Sequence, residues 1–442
     1  MTTRKDIENA LMRGADTLRD TIDAANYKDY VLPIMFVKYL SDSYEDALDK
    51  LKKQYSGIRL ERQKRYLPFT VAEDCSFQSL YKQRFADNIG QLINAAMRQI
   101  EADNNQQLAG VLSAVDYNSE NALGTREHKN AILRDLLEDF EPLNLRPSMI
   151  EVKEGQVPAD VIGDAYEYMI GQFASMAGKK AGSFYTPAAV SEIMARIVNV
   201  QPGERVYDPT CGSGSLLIKA AKKQNSKEVS IFGQEVNGSS VAMAKMNMYI
   251  HEIRDAMIGW GDTLANPVFL DSDGNLKQFD VIVANMPFSL DKWAEGFNPG
   301  GQEDGGNDKG KKFKMTANLD RFHRFDWGVP PASKGDWAFL LHMLHSLRSN
   351  GRMAAVVPHG VLFRGSAEGR IRQTVIEKNL LDAVIGLPAN LFYGTSIPAC
   401  ILVFKKNRAT SDVLFIDASG KDAEGKLRYR KDKNQNKLDQ CH

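Results

Sequence analysis

The stretch that most constrains this chain is Phe279-Asp280-Val281-Ile282-Val283-Ala284-Asn285-Met286-Pro287-Phe288. Its apolar, β-branched first part reads as a buried parallel strand. The strand then breaks into Asn-Met-Pro-Phe, where Pro287 halts the ladder and the Phe288 ring follows at once. A strand that ends in Asn and Pro is also a common turn, so the stretch alone leaves an ordinary connection open. In a doubly wound sheet, however, ligands sit at the carboxyl ends of strands. An amide beside an aromatic ring at that end therefore predicts a site.

The surrounding pattern supplies such a sheet. Strand-like runs occur at Arg205–Tyr207, Val229–Phe232, Val281–Ala284, Met353–Val357, Leu381–Leu387, Cys400–Phe404 and Val413–Ile416. Helical segments separate most of them, at Leu216–Lys223, Ser239–His251, Trp337–Leu347 and Ala367–Glu377. Strand–helix alternation predicts an α/β fold with a mostly parallel sheet. The last strands follow one another closely and predict an antiparallel edge.

Residues 1–150 read differently. Ala10-Leu11, Ala15, Leu18 and Ile22 recur at helical spacing, and Tyr30–Leu40 is apolar enough for the inside of a bundle. A helical N-terminal domain over 1–150 is expected, then a catalytic domain over 151–420 and a polar tail over 421–442, read as truncated. Basic residues gather at Lys52, Lys53, Arg59, Arg62, Lys64 and Arg65, where a solvated helix face is the plainer reading than a phosphate-contacting patch. Residues Phe297–Lys314 are Gly-rich, polar and basic at the end. They predict a loop beside the Asn-Met-Pro-Phe turn, either a lid or an insertion.

Composition excludes several classes. With 56 basic and 56 acidic residues the formal net charge is zero, so any nucleic-acid binding must come from local patches or a partner. No apolar run reaches the roughly 18–20 residues of a membrane span, and the N-terminus has no apolar signal core. No membrane association is expected. Cys75, Cys211, Cys400 and Cys441 lie far apart, which argues against a disulfide framework and fits a reducing cytoplasm. No metal site is expected: His342 and His345 fall in an apolar helical run and read as packed.

The residues that carry chemistry precede the opening stretch. Asp208-Pro209-Thr210-Cys211-Gly212-Ser213-Gly214 follows the first strand and opens a helix, where glycines let a ligand approach the backbone and N–H groups stand unpaired. The spacing is neither G-x-G-x-x-G nor a P-loop, and the Asp suits positive charge or hydroxyls rather than phosphate. Glu235 ends the second strand, where an acid can bind ribose hydroxyls. Asp262, in Gly261-Asp262-Thr263, could accept from an adenine amine. Each turn alone reads as an ordinary loop; in order, on successive strand ends, they describe an adenosine-containing cofactor without a phosphate grip. Upstream, Gly182-Ser183-Phe184-Tyr185-Thr186-Pro187 leads into a helix, with Thr186 expected to cap it.

On these motifs the chain resembles S-adenosylmethionine-dependent DNA N6-adenine methyltransferases, and most closely the modification (M) subunit of type I restriction-modification systems. Asp208–Gly214 looks like the cofactor motif, Ser183–Pro187 like the loop before it, and Asn285–Phe288 like the catalytic Asn-Pro-Pro-Phe/Tyr motif. Leu381–Lys406 and the helical N-terminus, from Tyr27-Lys28-Asp29-Tyr30 to Asp42, are similar to the family's as well. The resemblance implies a Rossmann-like methyltransferase domain and S-adenosyl-L-methionine as cofactor. It places Gly182–Pro187, Asp208, Thr210, Gly212, Ser213, Gly214, Glu235 and Asp262 around that cofactor, and Asn285, Met286, Pro287 and Phe288 on a flipped-out adenine. It also implies DNA, a specificity subunit, a second M subunit and a restriction subunit as partners. Met286 replaces the family's usual proline; the carbonyl that the chemistry uses is kept. The family commonly continues into a C-terminal helical region, which puts docking of the specificity subunit in question for this chain. Two other readings stand beside this one: a protein-glutamine N-methyltransferase, and a non-catalytic cofactor-binding scaffold for a DNA complex.

Overall fold

The computed structural model describes residues 1–177, 185–222, 228–298, 313–392, 395–422, 424–432 and 435–438. Packing divides the chain into two units, Met1–Ala181 with Ala242–Arg254, and Gly182–Val241 with Asp255–His442.

The first unit is helical. Its principal helices are α1 (Arg4–Thr17), α2 (Tyr27–Gln54), α3 (Ile89–Asp103), α4 (Arg126–Phe140) and α5 (Pro158–Ala177). Helix α1 starts where Thr3 and Asp6 form a reciprocal capping box, and it buries Ile7, Ala10, Leu11 and Ala15. Residues 30–43 of α2 are buried all round, which admits a charge only with partners. Lys38 and Asp42, both buried, pair at 3.0 Å, and Asp42 also accepts from Gln78 Nε2 and Leu145 N, both at 2.7 Å. The chain end is tied in by a bridge between Thr2 and Ile150. Helix α5, expected within the catalytic domain, packs with α1 in this unit.

The second unit is built on an eight-stranded sheet of order β3-β2-β1-β4-β5-β7-β6-β8. The strands are β1 (Arg205–Asp208), β2 (Ser230–Glu235), β3 (Met257–Trp260), β4 (Phe279–Asn285), β5 (Leu347–Pro358), β6 (Leu381–Gly386), β7 (Ala399–Lys405) and β8 (Leu414–Asp417). Strand β4 pairs in parallel with β1 on one side and β5 on the other, as its unbroken apolar run requires. Strand β3 is absent from the expected strands: Met257-Ile258-Gly259-Trp260 is only four residues long, is interrupted by a glycine and is exposed at both ends. The antiparallel member is β7, which lies between β5 and β6 with β8 beyond them. Helices α6 (Ala188–Val198), α7 (Ser215–Lys222), α8 (Gly238–Ile250), α9 (Asp336–His345) and α10 (Ser366–Glu377) connect these strands or precede them; from residue 242 onward, α8 packs with the first unit. Under the sheet Tyr207 stacks on Phe279 at 4.4 Å, with Phe232 and Phe269 edge-on. The expected tail carries two short strands, β9 (Arg430–Asp432) and β10 (Gln435–Lys437), paired antiparallel.

Candidate active site

Because β1 to β4 run parallel, their carboxyl ends share one edge of the sheet, and the candidate residues lie there. Strand β1 ends at Asp208, whose Oδ1 accepts from Thr210 N at 2.9 Å and shapes the turn into α7. Gly212 and Gly214 follow with φ of +52° and +77°, values that favour glycine. A Cβ on Gly212 would meet nothing within 4 Å, so this turn faces open space that a ligand can enter. Ser213 Oγ lies 3.0 Å from Ser215 Oγ.

Strand β2 ends at Glu235, whose carboxylate binds two turns together. Oε2 accepts from Gly212 N at 3.0 Å and Oε1 from Asn237 N at 2.9 Å. Asp208 is 2% exposed. Burial, reinforced by the Glu235 charge, raises its carboxyl to about 8. Past β3, Asp262 Oδ1 accepts from Leu264 N at 2.8 Å and Ala265 N at 3.3 Å. Thr263 Oγ1 donates to Pro209 O, which fastens this turn to that of β1. A Cβ on Gly296 would sit 3.0 Å from Asp262 Oδ2 and 2.5 Å from Ala265 Cβ, so the wall beside Asp262 takes only glycine.

Strand β4 ends at Asn285, 9% exposed, with Met286 fully buried behind it. Asn285 Nδ2 donates to Thr186 Oγ1 at 3.0 Å, which fixes the direction of the amide. This corrects the reading of Thr186 as a helix cap: α6 begins after Pro187 with no side-chain cap, and the hydroxyl serves Asn285 instead. Tyr185 and Pro187 are half-buried beside Thr186. Gly182, Ser183 and Phe184 lie outside the described residues, as does most of the expected loop 297–314. Pro287 and Phe288 are half-buried, and the Phe288 ring meets Phe392 edge-on at 5.6 Å.

Two elements of this edge escaped the sequence reading. Ser289, just past the turn, has φ of +51°; its N donates to Asp336 Oδ1 at 2.7 Å. Asp336, fully buried, begins α9 and also accepts from Arg364, which Glu368 holds from the other side. Only the apolar run after Asp336 was visible in the sequence. The second element is Arg324, whose signal was an Asp320–Arg324 pair at helical spacing. His342 and His345 are packed in α9; burial and the Arg324 charge hold His342 well below the usual histidine range.

The donor set fits S-adenosylmethionine. Three acids and an open glycine turn suit a sulfonium, an ammonium, ribose hydroxyls and an adenine amine. Residues 208–214, 235–237 and 261–264 contain no lysine or arginine for phosphate. Sheet order and turns together define the class, an S-adenosylmethionine-dependent methyltransferase.

Comparison with known proteins gives the family. The N-6 DNA Methylase model matches residues 157–442 and the HsdM N-terminal domain model residues 7–140. A type I restriction enzyme MpnII methylase subunit from Mycoplasma pneumoniae is 32% identical, with 99% of this chain and 83% of the relative covered. A type I restriction enzyme MjaVIII methylase subunit from Methanocaldococcus jannaschii is 30% identical over 92% of this chain and 67% of the relative. The crystal structure of a type I restriction-modification methyltransferase subunit from Streptococcus thermophilus superimposes with a TM-score of 0.79 at 32% identity, covering 100% of this chain and 91% of that one. The chain belongs to the N-6 DNA methylase family, among the methylase subunits of type I restriction enzymes. The protein-glutamine alternative does not account for the match over residues 7–140.

Proposed function

We propose that this chain transfers a methyl group to the N6 amine of a flipped-out adenine in DNA, as the modification subunit of a type I restriction-modification complex. The observation that carries this reading is the Asn285–Phe288 turn at the end of the central strand, beside three acid-bearing turns. When bound, S-adenosylmethionine supplies an electrophilic methyl group on a sulfonium. Asp208 and Glu235 hold its cationic and hydroxyl groups, Gly212 and Gly214 let it close on the backbone, and Asp262 accepts from its adenine amine.

The N6 amine of the target is a poor nucleophile because its lone pair is delocalised into the ring. Asn285 Oδ1 and the Met286 carbonyl accept its two hydrogens. They draw the nitrogen toward tetrahedral geometry and stabilise the positive charge that grows during attack. Preorganised acceptors of this kind contribute roughly 3–4 kcal/mol each. No titrating base is needed, which agrees with an amide at this position. The target atom is unreachable inside a duplex, so the base leaves the stack; Phe288, braced by Phe392, is the surface it stacks on.

Sequence reading comes from a specificity subunit, with a second copy of this chain and, for cleavage, a restriction subunit in the full assembly. The helical unit adds a grip on DNA: Lys52 and Lys53 are exposed at the end of α2, Arg59 and Arg62 on the helix Gly57–Lys64, which buries none of its residues, and Arg65 just past its end. The test is nucleoside analysis of DNA modified by the chain with its specificity partner. N6-methyldeoxyadenosine is expected. Methyl groups found on cytosine or protein glutamine, or no transfer despite cofactor binding, would contradict the reading.

A further inference from the structure

Arg324 is 0% exposed and lies behind the cofactor turns rather than in them. Its Nε reaches Asp320 Oδ1 and Oδ2 at 3.1 and 3.0 Å, and its Nη2 reaches Asp320 Oδ1 at 2.7 Å. The remaining donors go to the turn past β3 and to α9. Nη2 donates to Leu264 O at 2.6 Å, and Nη1 to Thr263 O at 3.4 Å and His342 Nδ1 at 3.1 Å. Every N–H of the guanidinium is thereby engaged.

The protons along this chain of contacts follow from chemistry. A guanidinium only donates, so His342 Nδ1 carries the lone pair and the ring is neutral. The ring proton then sits on Nε2, 3.3 Å from Tyr207 Oη. The Thr263 hydroxyl in turn donates to Pro209 O. Arg324 thus grips the carbonyls of residues 263 and 264, and the Thr263 hydroxyl joins them to the turn that begins at Asp208.

A buried ion pair is weak evidence for stability, because an apolar pair of similar volume is often as stable or more so. What this pair does that an apolar one cannot is hold two consecutive carbonyls at one angle. We propose that Arg324 is a positioning residue for the cofactor: by fixing the Thr263 and Leu264 carbonyls it sets the aim of the Asp262 carboxylate at the adenine amine. This inference rests on the assignment of Asp262 given above.

The test compares dissociation constants of the full chain for S-adenosylhomocysteine and for S-inosylhomocysteine, which lacks that amine, by isothermal titration. The unaltered chain should prefer the adenosine form at least tenfold, and Asp262→Ala should bring the ratio to within twofold of unity. The double variant Asp320→Asn/Arg324→Met removes both buried charges together and keeps a side-chain oxygen for Arg324 N, so it should fold where Arg324→Met alone leaves Asp320 stranded. Its ratio should fall to within about threefold of unity, while affinity for the inosine form changes less than threefold and the variant still unfolds in one cooperative transition above the assay temperature. A ratio unchanged in the double variant would overturn the positioning role, and so would an equal loss of both ligands, the mark of a merely structural part. If Asp262→Ala itself left the ratio unchanged, the assignment of Asp262 would fall and the inference with it.

Discussion

The turns past β1, β2 and β3 and the turn past β4 share one edge of the sheet but are held in opposite ways. On the cofactor side the carboxylates organise themselves: Asp208 accepts from Thr210, Glu235 from Gly212 and Asn237, and Asp262 from Leu264 and Ala265. On the acceptor side the turn borrows its shape. Thr186 orients Asn285 from 99 residues away, and Asp336 seats Ser289 from 47 residues away. The first half is acidic and its carboxylates are shaped mostly by near neighbours, with Arg324 bracing the Asp262 turn from behind; the second is neutral and assembled from distant pieces. Binding a cation calls for carboxylates, whose charge the ligand can draw out, whereas activating an aromatic amine calls for acceptors that neither titrate nor move.

The distant supports of the acceptor side should therefore govern the transfer rate and not cofactor affinity. Asp336→Ala strands the Ser289 N–H and loosens Arg364. It should cost about 2–3 kcal/mol of stability, read by denaturant unfolding, and lower the single-turnover rate at least thirtyfold with cofactor affinity within threefold. Equal loss of rate and affinity would erase the distinction between the halves. Phe288→Ala comes next. Removing a base-stacking ring is worth about 1–3 kcal/mol, so capture of an extruded base, followed by 2-aminopurine fluorescence at the target position, should weaken about tenfold or more. Thr186→Val removes one hydrogen bond to Asn285, worth about 1 kcal/mol. It should slow transfer about fivefold and leave cofactor binding alone.

The cofactor side should instead respond to pH. Burial raises the Asp208 carboxyl to about 8 from an ordinary value of 3.8. Its contribution to stability is therefore fully present below about pH 4 and is lost as pH rises through 8. A cationic ligand favours the ionised form, so binding releases a proton in that window. Affinity should rise about fivefold between pH 7 and pH 8, and Asp208→Asn should flatten the rise. Titration in buffers of different ionisation heat counts the proton; no release would place the cation elsewhere.

The same contrast explains what the sequence disclosed. The β4 run and the Asp208–Gly214, Glu235 and Asp262 turns were legible because each carries its residue signal in a few consecutive positions. Strand β3 was not, because four residues interrupted by a glycine are too short to show a period. Thr186 was misread because Thr-Pro before a helix is also a capping pattern, and only the fold brings Asn285 to its hydroxyl. Arg324 and His342 act through Thr263, Leu264 and Tyr207, 60 to 135 residues away, and no local pattern encodes such partners. The place of β7 inside the sheet likewise depends on pairing order rather than on composition.

The division of labour between the two halves can be measured directly in the assembled complex by crossing one variant from each. Cofactor dissociation constants and single-turnover methyl-transfer rates at saturating cofactor would be recorded for Asn285→Ala and Asp262→Ala. Asn285→Ala should lose about a hundred- to a thousandfold in rate with cofactor affinity within twofold, and Asp262→Ala should lose affinity while its rate at saturation stays within threefold. Near-normal turnover by Asn285→Ala, or both variants losing both quantities together, would contradict the account.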